Sequence, residues 1–501
     1  MLFNSLEFLI FFPVVCLLYF PLPQALKKPW LLVCSYYFYM CWHAGYALLI
    51  FISTLSTWVC GFLIERAPQR WRKLALALNL ALNLGILFTF KYFDFFSGSI
   101  ASIFGTKPLL LSLILPVGIS FYTFQALGYS IDVYRGDIPH EKSFLNYALF
   151  VSFFPQLVAG PIERSANFLP QLHERKYFDE YRVGSGVLRM LGGFFKKVVV
   201  ADGLAAFVDV VYAAPEKFSG LQLLLATVMF AIQIYCDFGG YSDIAVGAAQ
   251  VLGFRLMQNF ARPYFASSIT DFWRRWHVSL SGWFRDYFYI PLGGNRKGAW
   301  RKRLNLFLTF LVSGLWHGAN WTFVVWGALH GFYQVVGDIT RGPRKAVAAS
   351  LRLDKIPPIR WLGKLLGMVF TFVLVNLAYV FFRAQSLEQA MLVLEKIFAV
   401  EGELFTSGTA WFEALAGMEF FGLLPADSLT WGHVLTNTGL GLTLCVVLLT
   451  LLDIGEGRGG KLVDRVSRCV FPVRWAFAIL LLGAILLYGS FEPSGFYYFQ
   501  F

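Results

Sequence analysis

Seven histidines occur in 501 residues, and three of them stand in aromatic or apolar surroundings. His317 lies in Ser313-Gly-Leu-Trp-His-Gly-Ala-Asn-Trp321, between the apolar runs Leu304–Leu315 and Phe323–Val336. Burying an ionisable side chain at membrane depth is costly, so such a residue marks a functional site by default. Imidazole suits general-base work because its pKa lies near neutrality, and the flanking glycines would let a substrate approach. The competing reading is a hydrogen-bonded structural histidine, the role assigned to His330 one helix further on. His277 falls in Ser268-Ile-Thr-Asp-Phe-Trp-Arg-Arg-Trp-His-Val-Ser-Leu-Ser-Gly-Trp-Phe-Arg-Asp-Tyr-Phe288. On one helix, Trp273, Trp276, Leu280 and Trp283 would form an aromatic face, the pattern of a helix lying at a membrane interface. His277 is then either a polar residue of an aromatic anchor or a group at the foot of a cavity.

Cations supply the next candidates. Pro291-Leu-Gly-Gly-Asn-Arg-Lys-Gly298 is followed by Arg301, Lys302 and Arg303. Glycines permit close backbone approach, and bases bind phosphate. Arg274, Arg275, Asn295, Arg296 and Lys297 are therefore candidate contacts for an anionic donor such as coenzyme A. Cytoplasmic loops carry Lys and Arg in any case, so retention of the loop inside the cell competes with that reading. In Tyr235-Cys-Asp-Phe-Gly-Gly-Tyr-Ser-Asp243 we expect a glycine-interrupted helix whose Asp237 and Asp243 are structural. Ser120-Phe-Tyr-Thr-Phe-Gln125 and Gln156-Leu-Val-Ala-Gly-Pro-Ile-Glu-Arg164 place polar groups near helix breaks, with no role readable from type alone. The seven cysteines include no CxxC pair and mostly sit in apolar runs, which argues against a metal site or a disulfide framework. No Walker loop, HExxH, GxSxG or Rossmann fingerprint stands in a supporting context.

The elements that must position these residues are membrane helices. The chain is 57% hydrophobic and 14% charged, against roughly 25% charged in soluble domains. Apolar runs recur from Phe8–Phe20 to Trp475–Tyr488, including Tyr46–Ile64, Leu74–Phe90, Leu365–Phe382 and Val434–Leu452. We expect roughly 8–13 crossings. The N-terminus, with Glu7 and no basic segment, reads as a first anchor rather than a secretion signal. The net charge of +12 is concentrated in short loops, which points to the positive-inside rule rather than to nucleic acid. Loops near Lys27, Arg70, Arg296–Arg303, Arg341–Lys364 and Arg458–Arg474 are accordingly cytoplasmic. The acidic segment from about 384 to 431 and both termini are outside.

One membrane domain is expected over residues 1–501. It comprises N-terminal helices 1–109, a core 110–336, C-terminal helices 337–489 and an external tail 490–501. Pro116, Gly118, Gly128, Pro155, Gly160, Pro161, Gly239 and Gly240 interrupt the core's apolar stretches. Broken helices are tolerated in lipid where protein or a water-filled cavity satisfies the freed backbone groups. They imply either a central cavity or simple kinks.

Together, Asp271–Gly294 and Leu315-Trp-His-Gly-Ala-Asn320 resemble the membrane-bound O-acyltransferase family, in its bacterial alginate-type branch. The resemblance covers nearly the whole chain. It implies an all-helical bundle around a funnel, a cytoplasmic acyl-thioester donor and an acceptor presented from outside. His317 matches the family's catalytic histidine and His277 its second recurrent polar position. Asn320 is a candidate oxyanion donor by our own reading. The ending Phe496-Tyr-Tyr-Phe-Gln-Phe501 resembles the C-terminal FxYFxF motif of envelope-acylation systems, which makes Tyr498 the candidate acyl relay. The resemblance further implies acetyl-CoA or another thioester as donor substrate, no cofactor, an external SGNH-like acyltransferase partner and a polysaccharide acceptor. The residues alone also admit a transporter or flippase, or a haem protein using His277, His317 or His330 as axial ligands.

Overall fold

The computed structural model describes residues 1–158, 160–350, 356–399, 446–451, 455, 461–490 and 497. These residues form helices and connecting loops, with no strand among them. Five helices are long and apolar enough to cross a bilayer: Tyr46–Arg66, Gln69–Phe104, Gly220–Leu252, Pro357–Arg383 and Phe471–Tyr488. The expected run Val434–Leu452 lies mostly outside the described residues. Large apolar side chains such as Leu9, Leu17, Leu78, Phe370 and Leu487 point outward. A bilayer accepts such a surface; water does not. This is a multi-pass membrane protein.

At the centre runs Gly220–Leu252, 67% buried over its most apolar window, against 11% for the peripheral Phe471–Tyr488. Its start is fixed by a capping box in which the Ser219 hydroxyl accepts from Gln222 N–H and the Gln222 side chain accepts from Ser219 N–H. Gly239 and Gly240 do not interrupt it, and Gly128 does not interrupt Ile119–Arg135. The expected breaks at these three positions are thereby corrected. At Gly240 the missing side chain serves contact instead. A methyl there would meet the Gly193 carbonyl oxygen at 2.7 Å, and one at Gly247 would meet that of Gly186 at 2.6 Å. Small residues spaced this way bring the backbones of Gly220–Leu252 and Glu180–Phe194 together, as in other membrane helix pairs. Breaks do occur around Pro116–Gly118 and Gly160–Pro161.

Side-chain hydrogen bonds within and between helices link two N-terminal helices to the first core helix. The Ser53 hydroxyl donates to Asn83 Oδ1 at 2.6 Å, Asn83 Nδ2 to Asn79 Oδ1 at 3.0 Å, and Asn79 Nδ2 to the Ser130 hydroxyl at 3.1 Å. In a medium without water, polar groups on facing helices pair with one another. This polar ladder ties Tyr46–Arg66 and Gln69–Leu87 to Ile119–Arg135.

The Ser268–Phe288 segment differs from expectation. It is two short helices, Ile269–Trp273 and Val278–Phe284, continued by a π-helical turn Arg285–Tyr289. His277 breaks it, with φ +42° and ψ +56°. Trp273, Trp276, Leu280 and Trp283 are all buried. The single amphipathic helix is thus corrected to a bent segment folded into the protein.

Candidate functional site

His317 is the last residue of helix Gly298–His317. That helix forms a tight hairpin with Trp321–Ser350. A methyl on Gly327 would lie 2.5 Å from the Phe310 carbonyl oxygen and 3.0 Å from Gly314 Cα, so only glycine admits this approach. At the turn, Asn320 Oδ1 accepts from Thr322 N–H at 3.0 Å, while Asn320 Nδ2 donates to the Gln385 carbonyl at 3.0 Å. The amide that we expected to face an oxyanion therefore braces the loop against the chain following Pro357–Arg383.

The His317 ring is buried. Trp316, Trp326 and Phe382 stand at steep angles to it, with centroids 5.0, 4.9 and 5.4 Å away. One face opens on a small hollow lined by Lys91, residues 115–121, Val158, Trp316 and His317. A second hollow, lined in part by Asp94 and Ala319, shares Lys91 and Leu115 with the first. Lys91 sits in the π-helical turn Phe88–Tyr92. Its ammonium donates to the carbonyls of Trp316 at 2.7 Å and His317 at 3.3 Å. A cation on the last carbonyls of a helix complements their partial negative charge, so Lys91 fixes the end that carries His317. Our sequence reading missed it. The signal was a lone lysine directly after the apolar run Leu74–Phe90.

His277 is fully buried beside the same tryptophan. Its ring lies 6.1 Å from Trp316, 4.6 Å from Phe238 and 6.3 Å from Phe121. The histidine expected on an exposed interfacial helix is buried within the protein, and Trp316 packs against both His277 and His317. A left-handed conformation at a non-glycine residue is uncommon, though histidine tolerates it better than most. Among the described residues, neither His277 ring nitrogen and neither the Trp316 nor the Trp326 indole N–H has a hydrogen-bond partner. Buried polar atoms are normally paired. These atoms lie on side chains packed around Trp316 and His317.

The other candidates divide. Arg275 is buried and held by Asp271 through two bonds of 3.0 and 2.8 Å. His330 Nδ1 accepts from the Trp273 indole at 3.2 Å, in keeping with its structural assignment. Arg274, Asn295, Arg296 and Lys297 are exposed. The last three precede Gly298, at the opposite end of the His317 helix. Twenty residues separate the helix ends, about 30 Å at 1.5 Å per residue. These three residues therefore do not touch the histidine site. Tyr498 lies outside the described residues. Its neighbour Tyr497 is described, buried between Phe230 at 5.3 Å and Phe382 at 6.3 Å. Phe382 also packs against the His317 ring.

Residues 138–380 match the profile of the membrane-bound O-acyltransferase family. A probable alginate O-acetylase, AlgI, of Pseudomonas aeruginosa is 40% identical over 410 residues, covering 80% of this chain and 75% of the relative. A peptidoglycan O-acetyltransferase of Helicobacter pylori is 37% identical over 435 residues, covering 80% of each chain. A teichoic acid D-alanyltransferase of Streptococcus thermophilus is 28% identical over 294 residues, covering 56% of this chain and 69% of the relative.

Proposed function

Because the chain belongs to the membrane-bound O-acyltransferase family, we propose that it moves an acetyl group from a cytoplasmic thioester across the bacterial inner membrane for O-acetylation of an envelope or secreted polysaccharide. The observation that carries this reading is the buried His317, ringed by unpaired indole and imidazole nitrogens and facing a hollow. Family membership displaces the transporter and haem alternatives. Relatives named for alginate and for peptidoglycan are 40% and 37% identical, so the acceptor is assigned only as a polysaccharide hydroxyl.

The Tyr498 hydroxyl attacks the thioester carbonyl carbon while His317 takes its proton. The tetrahedral intermediate collapses, the C–S bond breaks, and His317 returns the proton to the leaving thiolate. An aryl ester remains on Tyr498. An external SGNH-like partner then transfers the acetyl group to the polymer. A free phenol has a pKa near 10 and needs such a base. The Trp316 and Trp326 indoles, both against His317, are the oxyanion donors we assign in place of Asn320. The buried Tyr497 supports inward entry of the tail. Asn295, Arg296 and Lys297 receive the donor's phosphates at the cytoplasmic mouth, remote from the reacting atoms, and Arg274 is a further candidate contact.

The test is acetyl transfer from radiolabelled acetyl-CoA by the purified chain. His317→Ala should lose about 10²–10⁴-fold in rate, the usual worth of a general base, with its elution profile in detergent unchanged. Tyr498→Phe should abolish chain-borne label while leaving thioester hydrolysis. Near-normal label in either variant would remove that residue from the mechanism.

A further inference from the structure

An ion cluster lies inside the bundle, away from the hollow at His317. Lys197, in the π-helical stretch Phe195–Ala201, bridges to Asp202 Oδ1 at 2.8 Å and to Asp237 Oδ1 at 2.7 Å, and all three side chains are at most 5% exposed. The other oxygen of Asp237 accepts the backbone N–H of Tyr497 at 2.8 Å, across 260 positions of sequence. The same π-helical stretch takes a second bond from the chain's end, because Ser490 N–H donates to the Val198 carbonyl at 2.8 Å. The Tyr497 ring packs on Phe230 and Phe382, with the Arg383 guanidinium 5.9 Å from its centroid. Phe382 in turn touches His317.

Ion clusters are a poor way to gain stability in a dry interior. Desolvation consumes most of the attraction, and apolar residues of equal volume often do as well. What a buried carboxylate adds is direction, since a charge-assisted hydrogen bond holds one partner in one geometry. Here the partner is a main-chain N–H next to the residue assigned to carry the acyl group. Such a bond fixes where the backbone runs whatever the side chain at 497.

We propose that Asp237, held by Lys197, is a positioning residue for acyl transfer: it latches the C-terminal segment at Tyr497 and sets the point from which Tyr498 is presented. The inference rests on the relay reading of Tyr498, while the latch itself is measurable without it. On a cysteine-free full-length chain, a nitroxide attached at Gln500→Cys reports motion of the tail. Asp237→Ala should narrow its line shape and cut chain-borne label from acetyl-CoA by about 10²-fold, the scale of a small misplacement of reacting groups. His317-dependent thioester hydrolysis should stay near the parent rate, which a general loss of fold would not allow. Asp237→Asn keeps the shape and an oxygen acceptor but drops the charge, and should fall between. If Asp237→Ala does not assemble, Tyr497→Pro removes the N–H donor from the other side of the latch and should narrow the line shape where Tyr497→Phe does not. An unchanged line shape in Asp237→Ala, or in Tyr497→Pro, overturns the latch. Normal chain-borne label in Tyr498→Phe overturns the relay, and the line shape still decides the latch.

Discussion

At His277 two demands meet in one residue, an imidazole packed against Trp316 and a backbone turned to φ +42°. Substitution can separate them. Loss of the ring should slow acetyl transfer by less than the roughly 10²-fold floor for a general base, since we propose that His277 acts by its packing on Trp316 rather than on the acceptor. His277→Gly should lose as much activity as His277→Ala, yet melt as though more stable by about 1–2 kcal/mol, because only glycine enters the left-handed region without penalty. Equal melting temperatures would mean that the strain is absorbed elsewhere. Glu163, in the connection between Phe154–Leu157 and Ser165–His173, poses a different question. Burial pushes its carboxyl up to about 7, against hydrogen bonds from Met257 N–H and the Asn167 amide that favour the ionised form. Between about 4.5 and about 7 the folded protein binds a proton that the unfolded chain has released. Its contribution to stability is thus fully present below that window, falls as pH rises through it, and is constant above. Melting temperatures in detergent should show this fall, and Glu163→Gln should flatten it.

Helices place the site more than local sequence does. The hairpin of Gly298–His317 and Trp321–Ser350 carries His317 at its turn, and its closeness depends on Gly314 facing Gly327. Gly327→Val would drive a side chain into the Phe310 carbonyl and the Gly314 backbone. Overpacking of this kind costs about 1–3 kcal/mol, and a shift of the hairpin displaces the His317 end, where Lys91 holds two carbonyls. The expected result is a lower melting temperature with a fall in acetyl transfer larger than the loss of folded protein. A variant that melts early but keeps full specific activity would show that the hairpin spacing does not set the histidine.

Across the whole molecule, orientation decides which face receives donor and which receives acceptor. The exposed Asn295–Lys297 loop and the Lys91 hollow lie toward opposite ends of the His317 helix. From the alternation of basic and base-poor loops we propose that the former faces the cytoplasm and both termini the outside. A cysteine placed at Lys297 on a cysteine-free background should resist an impermeant maleimide in intact spheroplasts and react once they are permeabilised. Labelling in intact spheroplasts would reverse the orientation, and with it the sides from which donor and acceptor enter.

Hydropathy alone determined that this chain is a helical membrane protein, because about 20 apolar residues in a row have few other stable settings. The run around His317 marked the residue we propose as the base for the same reason: an ionisable group among apolar neighbours is conspicuous one residue at a time. Relations between distant residues were not legible. Nothing local shows that Lys91 caps the helix ending at His317, that Asn320 braces a loop, or that Asp237 meets Tyr497, for each pairing joins segments between 65 and 260 positions apart. Helical periodicity also misled at His277, where it predicted one continuous face. Periodicity records which side chains want burial, and the Trp273–Trp283 residues are indeed buried. Whether they reach the interior on one straight helix or around a left-handed turn depends on the helices already packed there, and only the tertiary structure decides that.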